Sequence, residues 1–264
     1  MRGRVIYSGF QKLAWTLNFD ALLRRLRRGT LILMYHSIPA RSTTLYEVGK
    51  SCFEEHLRYL KANFKILKIS SILDRRRKKE SGLVCAVTFD DGYEDNYVNA
   101  YPLLLKYNVP AMIFLCTGWM LRGQSDTGRK MLSWRQAREM KESGNLEFGT
   151  HTHNHKDLTC LPCQSIINEI EKSRRLIEER LGVNAKCLSI PRGRIDGRVQ
   201  NIIRESGAIT SLFTSEGKIN APDADAMLGR ICIYKSSEAM PSFVFKVYGL
   251  TDTLSIFKHR TLRL

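Results

Sequence analysis

Two groups of side chains in this 264-residue chain could do chemistry, and both follow short apolar runs. The first is Asp90-Asp91, at the end of Val84-Cys85-Ala86-Val87-Thr88-Phe89 and just before Gly92-Tyr93. Adjacent carboxylates repel, so one of them must bind a cation or hold its proton to an unusually high pH. An Asp-Asp-Gly run is also an ordinary solvated turn, so the pair alone does not decide. The second group is His151-Thr152-His153-Asn154-His155, which places three of the chain's six histidines within five residues, just after Leu146 and Phe148. Alternating imidazoles with a carboxylate from elsewhere could form a three-ligand site with an open position, as catalytic metals require; structural sites are closed and usually use cysteine.

The elements that must position these groups can be read in outline. Val84 to Phe89 is too short for a helix and is rich in β-branched residues between Gly82 and Gly92, which predicts a strand buried on both faces. Asp90 and Asp91 then fall at its C-terminal end, where α/β folds place their chemistry. Leu31 to Tyr35 is an earlier strand that ends at His36. Strands are also expected near 66–69, 111–115, 186–190, 209–214 and 230–234. Between them lie helical patterns. Ser51 with Glu54 reads as a capping box ahead of Phe53, Leu57, Leu60 and Phe64, and Ser133 with Gln136 as another. Further helices are expected at 96–107, 164–181 with Gly182 as a stop, and 197–206. In the helix at 164–181 the isoleucines fall on one side, with Glu and Arg on the other. The segment 117–131 reads as a mobile loop over the site, and 75–79 as a solvated basic loop. Strand and helix alternate about seven times, which argues for a parallel barrel, a distorted (β/α)7 arrangement, rather than an open sheet. The expected organisation is a pair of basic amphipathic helices at 1–29, the barrel at 30–235 and a helical extension at 236–264.

Thr88-Phe89-Asp90-Asp91-Gly92-Tyr93 and His151-Thr152-His153-Asn154-His155 together resemble the first two motifs of the polysaccharide deacetylases, the NodB-homology or carbohydrate esterase four family. The likeness runs from about residue 31 to 233 through Leu132-Ser133-Trp134 and Ile190-Pro191-Arg192-Gly193. It implies that Asp91, His151 and His155 hold a divalent metal, most often zinc, with cobalt or nickel as alternatives. It makes Asp90 the general base and turns His153 away from the site. Met34-Tyr35-His36 resembles a subgroup in which the usual C-terminal acid motif is permuted to this position, which would make His36 the catalytic acid. The backbone N–H of Arg192, after Pro191, would assist at the developing oxyanion, and Tyr93 and Trp134 would contact substrate. The chain departs from the family pattern in three places: Arg192 stands where an aromatic residue is usual, Ser189 stands where many members carry an arginine near the base, and the Leu-x-His motif usual near the C-terminus is missing, so the acid rests on the permuted assignment of His36. The implied reaction is hydrolysis of the N-acetyl amide of an amino sugar in a polysaccharide or lipid-linked saccharide, with deformylation of a lipid-linked aminosugar as an alternative.

Composition bounds the partners. With 42 Lys and Arg against 26 Asp and Glu, the formal charge of +16 predicts attraction to an anionic surface or substrate. A non-enzymatic nucleic-acid or membrane binder would explain that charge but not the Asp and His clusters. Arg75 to Lys79 has no interleaved aromatic residues for base stacking, so no nucleic-acid partner is expected. Arg24, Arg25, Arg27 and Arg28 beside Leu22, Leu23 and Leu26 suit peripheral contact with an anionic membrane. The apolar stretch after Arg2 and Arg4 is interrupted by Gln11, Lys12, Asn18 and Asp20, so no signal peptide is read, and a cytoplasmic location at or near the inner membrane face is expected. Most of the seven cysteines sit in apolar strands as small hydrophobes. Cys160-Leu161-Pro162-Cys163 has redox-motif spacing, but it opens a helix without a second pair or a preceding thioredoxin-type strand, which favours coincidence. Oligomeric state is not legible.

Overall fold

The apolar runs become parallel strands in a computed structural model that describes residues 28–77, 82–215, 217, 219–221 and 227–248. The strands are β1 (Gly29–Tyr35), β2 (Lys65–Ile66), β3 (Leu83–Phe89), β4 (Ala111–Leu115), β5 (Leu146–Thr150), β6 (Cys187–Ser189), β7 (Ser211–Thr214), β8 (Met227–Gly229) and β9 (Ile231–Cys232). They hydrogen-bond in the order β8-β7-β6-β5-β4-β3-β1-β9, with β2 paired to β3 off this path. Every ladder is parallel. β8 pairs with β7 and β9 with β1, so the stretch Met227–Cys232 switches neighbours at Arg230 and nearly closes the sheet into a barrel. This is the distorted α/β barrel expected from the alternation.

Strand geometry sorts the side chains by parity. Leu31, Leu33, Tyr35, Cys85, Val87 and Phe89 belong to the large core beneath the helices. Ile32, Val84, Ala86, Met112, Phe114, Phe213 and Leu228 form a second cluster with Ile69 and Ile72. Those two isoleucines belong to α2 (Ile69–Arg77), which follows α1 (Lys50–Asn63) and β2. The remaining helices are α3 (Tyr101–Lys106), α4 (Thr117–Arg122), α5 (Trp134–Glu142), α6 (Cys163–Leu181), α7 (Gly197–Ser206) and α8 (Met240–Val247). Asp90 continues the parity of Ala86 and Thr88, which aims it into the barrel's C-terminal mouth.

Several sequence expectations are corrected. The Ser51–Glu54 capping box does not form: α1 starts at Lys50 behind Gly49, whose N–H donates instead to Glu238 Oε1 at 2.6 Å. A distant carboxylate supplies what the local one was expected to give. The strand expected at 66–69 ends at Ile66, because Ile69 and Ile72 bury as a helical pair; Arg75 and Arg76 are therefore helical rather than part of a loop. Segment 117–131 is not simply a loop: α4 forms because Trp119 and Met120 bury in the core, and Ser125 Oγ accepts the N–H groups of Thr127 and Arg129 in the turn that follows. The strand expected at 230–234 breaks at Arg230. The Ser133–Gln136 capping box, the left-handed Gly182 stop and the 197–206 helix form as expected. In the C-terminal extension α8 docks on α1, with Phe243 stacked on His56 at 3.8 Å. Of the N-terminal helical unit expected at 1–29, residues 1–27 lie outside the described residues, as does the segment beyond Tyr248, and Gly29 already belongs to β1.

Candidate active site

Asp90 and Asp91 follow β3 directly and both reach His151 Nε2, at 3.8 and 3.5 Å, because the backbone leaves the extended conformation at Asp91. Asp91 has φ +73° and Gly92 φ +83°, and a Cβ at Gly92 would meet Leu115 Cδ2 at 2.8 Å, so only glycine fits. Asp90 N–H donates to Tyr35 O at 2.9 Å, which brings the ends of β1 and β3, and so His36, to one rim. Four of the five described non-glycine residues with positive φ are Asp91, Thr152, His155 and Arg192, all at this mouth. Such conformations cost about 1–3 kcal/mol each and persist only where the surroundings impose them.

Asp91, His151 and His155 converge, their ligand atoms all within 4.8 Å of one another. Asp91 Oδ1 lies 3.5 Å from His151 Nε2 and 3.6 Å from His155 Nε2. These separations are too long for good hydrogen bonds. They approach the roughly 3.3 Å edge of a tetrahedron with metal–ligand bonds of about 2.0–2.1 Å. Asp91 Oδ1 is buried and has no hydrogen-bond partner among the described residues. His151 Nδ1 is tied to Ser189 O at 2.8 Å, which puts the proton on Nδ1 and leaves the Nε2 lone pair facing Asp91. Burial depresses His151 to about 3 and also lowers His155, so both imidazoles are neutral and basic toward a metal. Burial, with Asp90 adding to it, pushes the Asp91 carboxyl up to about 6. A deprotonated carboxylate and two neutral imidazoles around an unsatisfied buried oxygen fit a divalent cation.

Asp90 is managed differently. Arg230 Nη1 donates to its Oδ1 at 2.6 Å, Arg230 Nη2 to its Oδ2 at 2.7 Å, and Ser189 Oγ to Oδ2 at 2.9 Å. Burial alone would raise this carboxyl, but the guanidinium beside it wins and holds it well below the usual carboxylate range. Arg230 also donates to Ser189 Oγ at 2.7 Å and is itself buried. Sequence reasoning missed this arginine. The signal was present, since a lone cation inside an apolar strand must find a carboxylate, and it answers the absence of an arginine at position 189.

The other expected residues fall as follows. His153 turns away, its Nδ1 paired with Thr117 Oγ1 at 2.9 Å. His36 is half-buried, with Nδ1 enclosed and unpartnered among the described residues. Tyr93 lies beside Asp91; burial, with the Asp91 charge adding to it, raises its hydroxyl, and the Arg129 guanidinium lies 5.5 Å from its ring centroid. Pro191 is buried and Arg192 exposed at φ +59°; the cation of Arg192 helps lower His155. Trp134 is half-buried against the core. A second tryptophan, unremarked in the sequence, stands against a ligand: the centroid of the Trp119 ring lies 4.8 Å from that of His155. Cys160 and Cys163 are free and exposed.

A parallel barrel with an aspartate pair and two imidazoles at the strand C-termini defines an α/β-barrel hydrolase with a metal-type ligand set. Residues 77–210 match the family model for polysaccharide deacetylase. The chain is 30% identical over 220 residues to YxkH of Bacillus subtilis, covering 82% of this chain and 75% of that protein. It is 27% identical over 222 residues to the poly-β-1,6-N-acetyl-D-glucosamine N-deacetylase of Staphylococcus aureus, covering 79% and 76% of the two chains. Among solved structures it resembles the Streptococcus pyogenes deacetylase PplD in complex with acetate, with a TM-score of 0.71 and 27% identity, covering 80% of this chain and 95% of that one. The chain belongs to the polysaccharide deacetylase family, hydrolases of carbon–nitrogen bonds other than peptide bonds.

Proposed function

We propose that this chain removes the N-acetyl group from N-acetylhexosamine units of a polysaccharide, with Asp91, His151 and His155 holding a divalent metal, zinc first. The observation that carries the reading is the different treatment of two neighbouring carboxylates: Asp90 is locked ionised by Arg230, while Asp91 keeps a buried oxygen unsatisfied between two imidazole nitrogens. The Staphylococcus aureus relative, named for poly-β-1,6-N-acetyl-D-glucosamine, supports the substrate class.

An unactivated amide needs a strong nucleophile, charge stabilisation at the carbonyl oxygen and a proton for the departing amine. A cation in this site lowers the pKa of water toward about 7 and polarises a carbonyl. Asp90 Oδ2, 3.8 Å from His151 Nε2, stands beside the ligand set rather than in it, and accepts the proton of the attacking water. Its low basicity is tolerable because Arg230 and Ser189 fix both oxygens in place and keep them charged, so geometry rather than affinity for the proton is supplied. His36, across the mouth on the rim of β1, donates a proton to the leaving nitrogen. The left-handed turn at Arg192 presents its backbone N–H to the developing oxyanion, and Tyr93, beside Asp91, contacts substrate.

The test is acetate release from short β-1,6-linked N-acetylglucosamine oligomers by purified chain, before and after chelation and readdition of zinc or cobalt, with metal analysis alongside. Chelation is expected to abolish release and readdition to restore it, while Asp90→Asn lowers kcat by about 10²–10⁴-fold and retains metal. A chelator-resistant activity, or an Asp90→Asn chain as active as wild type, would refute the assignment.

A further inference from the structure

The segment that carries the two histidine ligands is a strap gripped between two helices. On the α4 side, Gly118 N–H donates to His153 O at 2.7 Å, and the approach is so close that a Cβ at Gly118 would stand 2.5 Å from that oxygen. On the α6 side, one residue takes three donors. The main-chain carbonyl of Glu169 accepts from His153 N–H at 3.0 Å. Its carboxylate accepts from Asn154 N–H at 2.7 Å through Oε2 and from Asn154 Nδ2 at 2.7 Å through Oε1. Glu169 is 8% exposed, although the acidic residues of this helix were expected on its outer side.

The charge is costly to bury, so its chemistry needs a reason. Both groups that face Glu169 are N–H donors, and only a carboxylate can accept through both of its terminal atoms; a glutamine would point an NH2 at one of them. What the two bonds hold is the residue before His155. Thr152 at φ +63° and His155 at φ +54° are left-handed, and locally the His155 amide is held only by Thr152 Oγ1 at 3.2 Å. Without an outside anchor, relaxation of either residue toward ordinary φ would swing the His155 ring away from Asp91.

We propose that Glu169 is a positioning residue for the metal ligand His155: through Asn154 it fixes the strained strap so that Nε2 of His155 faces Asp91. This rests on the metal reading above. It also assigns the Asn154 side chain a purpose, as a clamp rather than a substrate contact.

The experiment uses the full chain stripped of metal and titrated with Co2+, read by visible absorption with a competing chelator, together with the melting curve of each metal-free form. Glu169→Gln is expected to weaken cobalt binding by ~10–100-fold, the range for groups that orient ligands. Asn154→Asp, which sets two carboxylates face to face, is expected to do the same. Combined, Glu169→Gln with Asn154→Asp restores a donor–acceptor match, because the new amide donates to the new carboxylate while its oxygen still accepts the backbone N–H. The double variant should therefore bind cobalt within ~3-fold of wild type, a coupling that a merely structural role would not produce. Glu169→Gln binding as tightly as wild type, or a double variant no tighter than the singles while still melting cooperatively, overturns the proposal. A wild-type chain that takes up no cobalt defeats the metal reading itself, and this one with it.

Discussion

Replacing Arg230 by methionine removes the counter-ion from a carboxylate that is 3% exposed. Both short bonds to Asp90 disappear, as does the bond to Ser189 Oγ, and a buried charge is left with one hydroxyl. Breaking one side of a buried pair costs about 3–5 kcal/mol. At about 2–4 °C per kcal/mol for a domain of comparable size, the melting temperature should fall by about 6–20 °C at neutral pH. The pH dependence fixes the sign. In the wild type the folded carboxyl is depressed, so its contribution is present above the unfolded value near 3.8 and is lost only as pH falls through the lower folded value. Without Arg230, burial outweighs the remaining Ser189 hydroxyl and the carboxyl rises above 3.8, so ionisation costs stability as pH rises. The deficit of Arg230→Met should therefore shrink as pH is lowered from 7 toward 4.5. Removing both charges, in Asp90→Asn with Arg230→Met, should recover most of the lost stability while leaving the chain inactive. Thermal denaturation of the chelated protein across this pH range is the assay. An unchanged melting temperature in Arg230→Met, or a double variant no more stable than the single, would show that the pair is not the coupled unit described here.

Two further outcomes follow from the same electrostatics and packing. Asp91, raised to about 6 by burial, pays roughly 3 kcal/mol for its charge at pH 7.5 in the metal-free chain. The proton-bound form is the stable one, and its advantage is lost as pH rises through 6. Asp91→Asn should therefore melt higher than the metal-free wild type at pH 7.5, by a margin that shrinks to about a third at pH 4.5, and lose metal binding; a lower melting point at both pH values contradicts the burial account. Gly118→Ala drives a methyl into His153 O and Asn154 Oδ1, at 2.5 and 2.8 Å from the added carbon. It should destabilise the fold by about 1–3 kcal/mol and weaken cobalt binding in the same titration; an unaffected titration would show that the strap is not held from the α4 side.

The sequence by itself determined the alternation that builds the barrel, and it carried the two motifs whose resemblance to the family implies the ligand set. The short apolar runs that end at Asp90 and at His36, and Leu146 and Phe148 ahead of His151, are local patterns, and in a parallel α/β sheet every strand end points to one face, so the residues following them must meet. The capping box at Ser133 and the stop at Gly182 were legible for the same reason, since each is written within one turn of chain. What only the tertiary structure decided is which distant group completes each local one. Glu238 caps α1 from 189 residues away, Arg230 clamps Asp90 from 140 and Glu169 reaches Asn154 across 15. A buried charge announces in sequence that it needs a partner, but the choice among partners is made by strand order and helix placement, which bring one arginine to one aspartate and leave the next aspartate's oxygen unsatisfied between two imidazoles.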